Sequence, residues 1–178
     1  ALIGGLVQQG FAGAAIQVVD LSDAARARLQ ADFGVRAVAG IDDEVVNTDL
    51  LVLAVKPQQL QEVARTLVGR LGNAVVVSIA AGIRSGDLVR WLGGYARVVR
   101  AMPNTPALIG AGITGMFATP EAVTASERDA AERVMRAVGQ VVWVADEAQM
   151  DAVTAVSGSG PAYVFHFIEA LEAAGQSC

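Results

Sequence analysis

The strongest constraint on the fold of this 178-residue chain is an alternation of short apolar runs with longer helical patterns. Residues 50–55 are an uninterrupted apolar run of strand length, and residues 74–79 form a second run broken only by Ser78. Such runs are typical of strands buried on both faces of a sheet. Strands that alternate with helices predict βαβ units, a mostly parallel sheet and right-handed crossovers. We therefore expect an α/β chain with a doubly wound sheet.

The boundaries of the predicted elements follow from the residues that begin and end helices. Ser22 is a good N-cap for a helix through Phe33, Gly34 stands just past its end, and Pro57 suits a first helical turn. Predicted strands cover residues 16–19, 35–39, 50–55, 74–79, 96–101 and 141–144, with an extended stretch at 109–118. Predicted helices cover residues 1–9, 22–33, 42–47, 57–71, 85–92 and 126–138, and the pattern is helical from 151 onward.

Composition argues against several classes of protein. The net charge of −5 gives no long-range attraction to nucleic acid or to an anionic membrane. One cysteine, Cys178, and one histidine, His166, cannot form an intrachain disulfide or a typical zinc site. No apolar run approaches the roughly 18 residues that span a bilayer, and the N-terminus lacks the basic start of a signal peptide. We therefore expect a cytoplasmic protein without metal, nucleic acid or membrane.

Ligands of open α/β sheets bind outside the carboxyl ends of the strands, so the residues just after each strand are candidate contacts. Lys56, the only lysine, follows one predicted strand, and Asn104 lies in a Pro-braced loop after another. Asp20 ends a third strand, where an acid commonly binds the ribose 2′-hydroxyl and would favour NAD over NADP. The alternative to ligand binding is that Lys56 and Asp20 are solvated residues at strand ends, and that the loop around Asn104 is only a rigid turn.

The letters G-x-G-x-x-G occur at Gly110, Gly112 and Gly115. A true dinucleotide fingerprint follows a strand and opens a helix, whereas here an extended stretch continues and Pro120 comes after it. We therefore interpret this match as false. The phosphate loop of such a domain precedes its first helix and would lie upstream of Ala1.

A Ser-Gly-Ser-Gly segment at residues 157–160 stands directly before Pro161, which suits the start of a helix. Its amides and two hydroxyls would form a tight, donor-rich turn at a positive helix end, a cradle for a carboxylate. A helix–helix corner with Ser caps is the alternative. His166, between Phe165 and Phe167, is interpreted as a packing or interface residue.

Four blocks of sequence resemble the pyrroline-5-carboxylate reductase family in their order and spacing. They are LAVKPQ (residues 53–58), VSIAAGI (77–83), VVRAMPNTPA (98–107) and DAVTAVSGSGPAYVF (151–165). The resemblance implies a Rossmann-type NAD(P)H domain over residues 1–145 and, over 146–178, the beginning of an α-helical dimerisation domain. It also implies reduction of 1-pyrroline-5-carboxylate to L-proline, the last step of proline synthesis, with NADPH or NADH, by a homodimer or higher homo-oligomer.

The same resemblance implies roles for individual residues, none of them catalytic. It makes Ala54, Val55, Lys56 and Pro57 the cofactor-contacting strand end, Ile79, Ala80 and Ala81 a second backbone contact, and Met102, Pro103 and Asn104 the nicotinamide-side loop. Glu147 corresponds to an acid near cofactor and substrate, and Ser157, Gly158, Ser159 and Gly160 to the turn that joins the two domains.

The chain departs from the family pattern in four ways. It begins, without Met, inside a helical pattern. In the family, a first strand and a Gly-rich loop stand before this helix. Leu21 follows Asp20 where many members have Arg, so the choice between NADH and NADPH stays open. Ile41 or Asp42 stands where an Asn commonly faces the adenine. The family continues beyond Gly175 with a substrate loop and a suggested Thr proton donor, so we expect a chain truncated at both ends and inactive alone.

Two other interpretations are weighed against this one. A two-domain dehydrogenase of the β-hydroxyacid type requires a catalytic Lys on the first helix of the helical domain, and residues 163–174 contain none. A non-catalytic nucleotide-binding or regulatory relative gains weight if no phosphate loop precedes Ala1.

Overall fold

Seven strands form two sheets in residues 1–177, the part of the chain that this computed structural model describes. Cys178 lies outside the described residues. A two-stranded parallel sheet pairs β1 (Gln17–Val19) with β2 (Arg36–Val38). The five-stranded sheet has the order β3 (Leu50–Leu53), β4 (Val75–Ser78), β5 (Val98–Met102), β6 (Gly112–Ala118) and β7 (Gly139–Trp143). Its neighbours run parallel except β5 and β6, which run antiparallel, so the predicted Rossmann-type α/β fold is confirmed.

Eight α-helices connect or flank these strands within residues 1–177. They are α1 (Leu2–Gln8), α2 (Asp23–Phe33), α3 (Asp43–Val46), α4 (Pro57–Thr66), α5 (Ser85–Trp91), α6 (Ala125–Arg136), α7 (Gln149–Val153) and α8 (Gly160–Gln176). Short 3₁₀ turns cover Gly13–Ala15 and Thr105–Ile109, and a π-helical turn, Thr154–Gly158, joins α7 to α8.

The predicted caps of α2 are present. The hydroxyl of Ser22 accepts a hydrogen bond from the amide of Ala25 at 3.3 Å, which satisfies one of the free donors of the first turn. Gly34 ends the helix with φ 65°, a left-handed conformation that costs glycine little. These two residues fix both ends of the helix that follows Asp20.

Several predicted boundaries are wrong. Helix α4 ends at Thr66 rather than at 71, because Gly69 with φ 73° turns the chain. The strand predicted at 50–55 ends at Leu53. It packs on both faces as predicted, Leu51 and Leu53 in one layer and Leu50 and Val52 in the other, but only Leu53 is fully buried in this edge strand. The stretch predicted as extended from 109 begins with the end of a 3₁₀ turn, and β6 starts at Gly112.

The core consists of two apolar layers, one on each face of the five-stranded sheet. One layer packs α4 and α5 against the sheet and is formed by Val46, Leu53, Leu60, Ala64, Leu67, Leu71, Val76, Ala80, Leu88, Leu92 and Val98. The other packs α6 against it and is formed by Val75, Val77, Val99, Ala101, Met116, Ala118, Val123, Ala131, Met135 and Val138. The strand between them, β4, is buried along its whole length. This packing holds the carboxyl ends of β3, β4 and β5 at one edge.

Helix α8 is apolar but packs against little in the described chain. Its residues are exposed from Ala162 to its last residue, including Phe165 and Phe167, which are 57% and 63% exposed. In residues 1–177 no helix combines the length and the apolar character that a membrane span requires.

Candidate functional site

The carboxyl ends of β3, β4 and β5 bring three of the predicted segments to one edge of the sheet. The parallel register places Leu53 beside Ser78 and Ser78 beside Arg100, so the loops after these strands start next to one another. The loops contain residues 54–57, 79–82 and 103–104. The structure thus collects the predicted strand-end residues at one edge, where open α/β sheets bind ligands.

The loop after β3 presents the only lysine of the chain. Lys56 is exposed and is the N-cap residue of α4, and Pro57 occupies the first turn. Lys56 forms no ion pair with any residue in the range 1–177. Ala54 is also exposed and Val55 is half-buried. The loop therefore combines a small residue, an available ammonium group and the amide end of a ten-residue helix.

The loop after β4 is built from small residues. Ile79 is half-buried and Ala80 is buried, and the amide of Ala80 donates to the hydroxyl of Ser78 at 3.4 Å. Ala81 and Gly82 are exposed. Gly82 has φ 76°, and no atom lies within 4 Å of the position that a Cβ would take. A flat ligand can therefore approach this backbone closely.

The loop after β5 is held from two sides by Asn104. Its side-chain oxygen accepts from the amide of Ile113 at 2.9 Å, and its side-chain nitrogen donates to the hydroxyl of Ser157 at 3.1 Å. Asn104, Met102 and Pro103 are all half-buried. The amide group expected to face a ligand is thus largely used to join β6 and the π-helical turn to this loop.

Asp20 follows β1, in the separate two-stranded sheet. Its Oδ1 accepts from the amide of Ser22 at 2.8 Å, and its main-chain oxygen accepts from the guanidinium of Arg26 at 2.6 Å. Arg26 also pairs with Asp23. Within the described residues Oδ2 of Asp20 has no hydrogen-bond partner, so one carboxylate oxygen is available to a hydroxyl donor.

Glu147 lies in the segment that joins β7 to α7, and its side chain contacts α5 and β5. Its carboxylate accepts from the amide of Ser85 at 2.6 Å, from the hydroxyl of Ser85 at 2.8 Å and from the guanidinium of Arg100 at 3.2 Å. Ser85 begins α5, and the side chain of Arg100 is only 5% exposed in β5. We call Ser85, Arg100 and Glu147 the Glu147 cluster. Both carboxylate oxygens of Glu147 are therefore occupied by protein donors.

Two members of this cluster, Ser85 and Arg100, are not among the predicted site residues. Arg100 has a visible signal in the sequence, since it interrupts an apolar run of strand length. A charged residue in a buried strand requires a partner. The identity of that partner could not be read from the sequence, because Glu147 is 47 residues away.

The tight turn predicted at residues 157–160 is wrong. The chain is helical there: the amide of Ser159 donates to the carbonyl of Thr154 at 2.9 Å, a π-helical bond, and α8 begins at Gly160. The amide of Ser159 is consequently not free to bind a carboxylate. Gly158 instead allows close packing, because a Cβ at this position would lie 2.6 Å from the terminal methyl of Met102.

The interpretation of the G-x-G-x-x-G letters as a false fingerprint is confirmed. Gly112 and Gly115 lie in β6, which pairs antiparallel with β5 and opens no helix. Gly112 is needed for packing instead, because a Cβ at this position would lie 2.8 Å from the carbonyl oxygen of Val138 and 2.9 Å from the Cα of Ala107. A Cβ on Gly139, which has φ 142°, would lie 2.0 Å from the carbonyl oxygen of Gly112.

Two further expectations from the sequence concern His166 and metal ligands. His166 is exposed on α8, among the apolar side chains of that helix. In residues 1–177 no group of three or more His, Cys, Asp or Glu is placed to hold a metal ion.

Comparison with known families gives two matches. Residues 147–178 match the family described as "Pyrroline-5-carboxylate reductase dimerisation". Residues 1–82 match the family described as "NADP oxidoreductase coenzyme F420-dependent".

Individual relatives match along almost the entire chain. A curated pyrroline-5-carboxylate reductase from Pseudomonas aeruginosa is 44% identical over 176 residues, which are 98% of this chain and 64% of that protein. The solved structure of a pyrroline-5-carboxylate reductase from Coxiella burnetii is 39% identical with a TM-score of 0.90, over 99% of this chain and 66% of that one. The Plasmodium falciparum pyrroline carboxylate reductase with NADP bound is 26% identical with a TM-score of 0.83, over 99% of this chain and 64% of that one. The chain thus spans just under two thirds of the length of these relatives.

Proposed function

The chain belongs to the pyrroline-5-carboxylate reductase family, and from this premise we propose that it is the cofactor-binding part of an enzyme that reduces 1-pyrroline-5-carboxylate to L-proline with NADPH or NADH. The observation that carries the proposal is the 44% identity over 176 residues. The matched 176 residues include the three strand-end loops, which meet at one edge of the sheet.

The residues at this edge fit a dinucleotide. Ala54, Ala81 and Gly82 are small and exposed, and the open space around Gly82 admits a flat ligand against the backbone. Lys56 supplies a positive charge for the phosphates. Beside this edge set, the free carboxylate oxygen of Asp20, after β1 of the two-stranded sheet, suits a ribose hydroxyl. When bound, the nicotinamide would supply the hydride that reduces the imine carbon.

The contribution of this chain is binding and orientation. We propose contacts from Ala54, Val55, Lys56, Pro57, Ile79, Ala80 and Ala81, and a nicotinamide-side loop formed by Met102, Pro103 and Asn104. The hydrogen bonds of Asn104 to Ile113 and Ser157 hold this loop in one conformation. We assign no catalytic proton donor to these residues.

The domain organisation and assembly form part of the proposal. Residues 1–145 would be the NAD(P)-binding domain, and residues 146–178 would begin the helical dimerisation domain. The exposed apolar side chains of α8 support a homodimer or higher homo-oligomer, because a patch of large exposed apolar side chains marks a protein–protein contact. We place the enzyme in the cytoplasm.

The decisive experiment is a turnover assay on a protein extended to the length of its relatives. We expect 1-pyrroline-5-carboxylate to drive oxidation of NADPH or NADH, followed by the loss of absorbance of the reduced nicotinamide. A folded protein that binds either cofactor but shows no pyrroline-dependent oxidation would contradict the proposal. That result would favour the non-catalytic, nucleotide-binding alternative.

A further inference from the structure

The carboxylate of Glu147 is fully engaged inside the protein. Its Oε1 accepts from the amide of Ser85 at 2.6 Å and from Arg100 at 3.2 Å, and its Oε2 accepts from the hydroxyl of Ser85 at 2.8 Å. The Glu147 side chain is 23% exposed. A carboxylate held by three donors has little capacity left for a ligand.

The cluster joins three parts of the chain that are distant in sequence. Ser85 begins α5, Arg100 lies within β5, and Glu147 precedes α7. Arg100 is almost completely buried, so its charge depends on a carboxylate partner. Asp151 is the second acid near it, but the distance is 3.8 Å and the Asp151 side chain is 67% exposed. Glu147 is therefore the principal counter-charge of Arg100.

From Glu147 onward the chain lies against the edge of the sheet as far as the π-helical turn. Met150 is completely buried, and Val153 packs so closely on Gly115 that a Cβ there would lie 2.7 Å from its methyl carbon. At the other end Ser157 accepts from Asn104 at 3.1 Å. Segment 147–158 thus has a polar tether at each end and an apolar contact between them.

We propose that Glu147 is a positioning residue, which through Ser85 and Arg100 fixes segment 147–158 on the sheet and thereby holds Asn104. In this role Glu147 does not touch cofactor or substrate. Only the contact between Asn104 and the nicotinamide rests on the proposed function. The positioning itself is a property of the 178-residue chain and is measurable without turnover.

Nuclear magnetic resonance of the chain tests this role. The side-chain amide signals of Asn104 and the main-chain amide of Ile113 report the tether, and hydrogen exchange of residues 148–158 reports the segment. Because Glu147→Gln leaves a buried guanidinium without its counter-charge, we expect exchange of the segment to quicken about tenfold or more, and the Asn104 signals to shift.

A paired variant separates positioning from the cost of an unpaired buried charge. Combining Glu147→Gln with Arg100→Met removes both charges but also the bond between them, so we expect the urea midpoint to recover while exchange of the segment stays fast. Ser85→Ala, which removes one donor, should give a smaller shift of the same signals and serves if Glu147→Gln does not fold. The matched control is Glu132→Gln, since Glu132 is also a partly buried carboxylate, bonded to Trp143 and Arg136, but belongs to α6.

Three results would overturn the inference. They are unchanged exchange and Asn104 signals in Glu147→Gln, equal changes in Glu132→Gln, or exchange that returns to the original rate in the paired variant. None of these measurements involves the reaction, so a failed turnover assay would count against the proposed function alone.

Discussion

Asn104 donates a hydrogen bond of 3.1 Å to the hydroxyl of Ser157, 53 residues further along the chain. The same side chain accepts a bond of 2.9 Å from the amide of Ile113. The loop after β5 is therefore fixed both by the neighbouring strand and by the π-helical turn. This places the start of the helical segment in direct contact with the proposed nicotinamide side.

Replacing Asn104 should cost more stability than replacing its partner. Asn104→Ala removes two hydrogen bonds and leaves the amide of Ile113 unsatisfied, so we expect the free energy of unfolding to fall by about 1–3 kcal/mol. Ser157→Ala removes one bond and should cost about 0.5–1.5 kcal/mol. Urea unfolding followed by circular dichroism measures both. Equal losses in the two variants would contradict the double role of Asn104.

Lys56→Ala should weaken cofactor binding. Lys56 is exposed at the sheet edge, and loss of the proposed contact with a phosphate should raise the dissociation constants of the extended protein for NADPH and NADH about tenfold, or roughly 1.4 kcal/mol. Isothermal titration calorimetry gives the constants. Arg65→Ala is the matched control, because Arg65 is an exposed cation at the opposite end of the same helix. Unchanged constants for both cofactors in Lys56→Ala would refute this role.

Asp20 should set the preference between the two cofactors. Its carboxylate repels a 2′-phosphate and accepts from a 2′-hydroxyl, so Asp20→Ser should lower the ratio of the NADPH to the NADH dissociation constant about tenfold. Fluorescence titration of the extended protein measures the ratio. Asp32→Ser, at the far end of α2, should leave it unchanged. A ratio that stays constant in Asp20→Ser means that the carboxylate does not face the ribose.

Stability should decrease in acid partly through Glu132. The indole of Trp143 and the guanidinium of Arg136 both donate to this carboxylate, and they hold the pKa of Glu132 below its usual range. A group with a lowered pKa in the folded state stabilises the protein at neutral pH, and this contribution is lost as the pH falls below about 4.3 toward the folded value. Urea midpoints measured at pH values across that range should therefore fall less steeply in Glu132→Gln. Glu121→Gln, which changes an exposed acid, should keep the original slope.

Self-association should depend on the apolar face of α8. Phe165→Asp and Phe167→Asp place charges among side chains that are more than half exposed in one chain and that we propose to be buried in the dimer. Sedimentation equilibrium should show the original chain associating and both variants shifted toward the monomer. The control Glu172→Gln changes a charge on the same helix, and dissociation in this variant as well would mean that the effect is not specific to the apolar residues.

Local features of the fold could be predicted because they depend on neighbouring residues. The caps of α2 require only Ser22 and Gly34, and the strand β4 begins with three successive valines. The false fingerprint could be rejected because a true one requires a helix directly after its glycines. The edge position of β3 could not be predicted, since an apolar run says nothing about how many strands lie beside it.

The candidate site was predictable only in part. The strand-end loops follow from the parallel sheet, which places the carboxyl ends of neighbouring strands at one edge. The Glu147 cluster depends on contacts across 47 and 62 residues, which no local pattern encodes. The helical course of residues 157–160 was missed because Ser and Gly favour turns, whereas packing on Met102 and the bond to Asn104 accompany a helix here.

The approach of Gly112 to Gly139 has a consequence for how these positions can vary over evolution. Main chain meets main chain at this point, and each position already carries the smallest residue. A Cβ on Gly139 would meet the main chain of Gly112, and a Cβ on Gly112 would meet the carbonyl oxygen of Val138 at 2.8 Å, so no smaller side chain elsewhere can compensate for a larger residue at either position. We therefore expect both glycines to be kept even in descendants that no longer bind a ligand. Their conservation would then report the packing of the sheet and not catalysis.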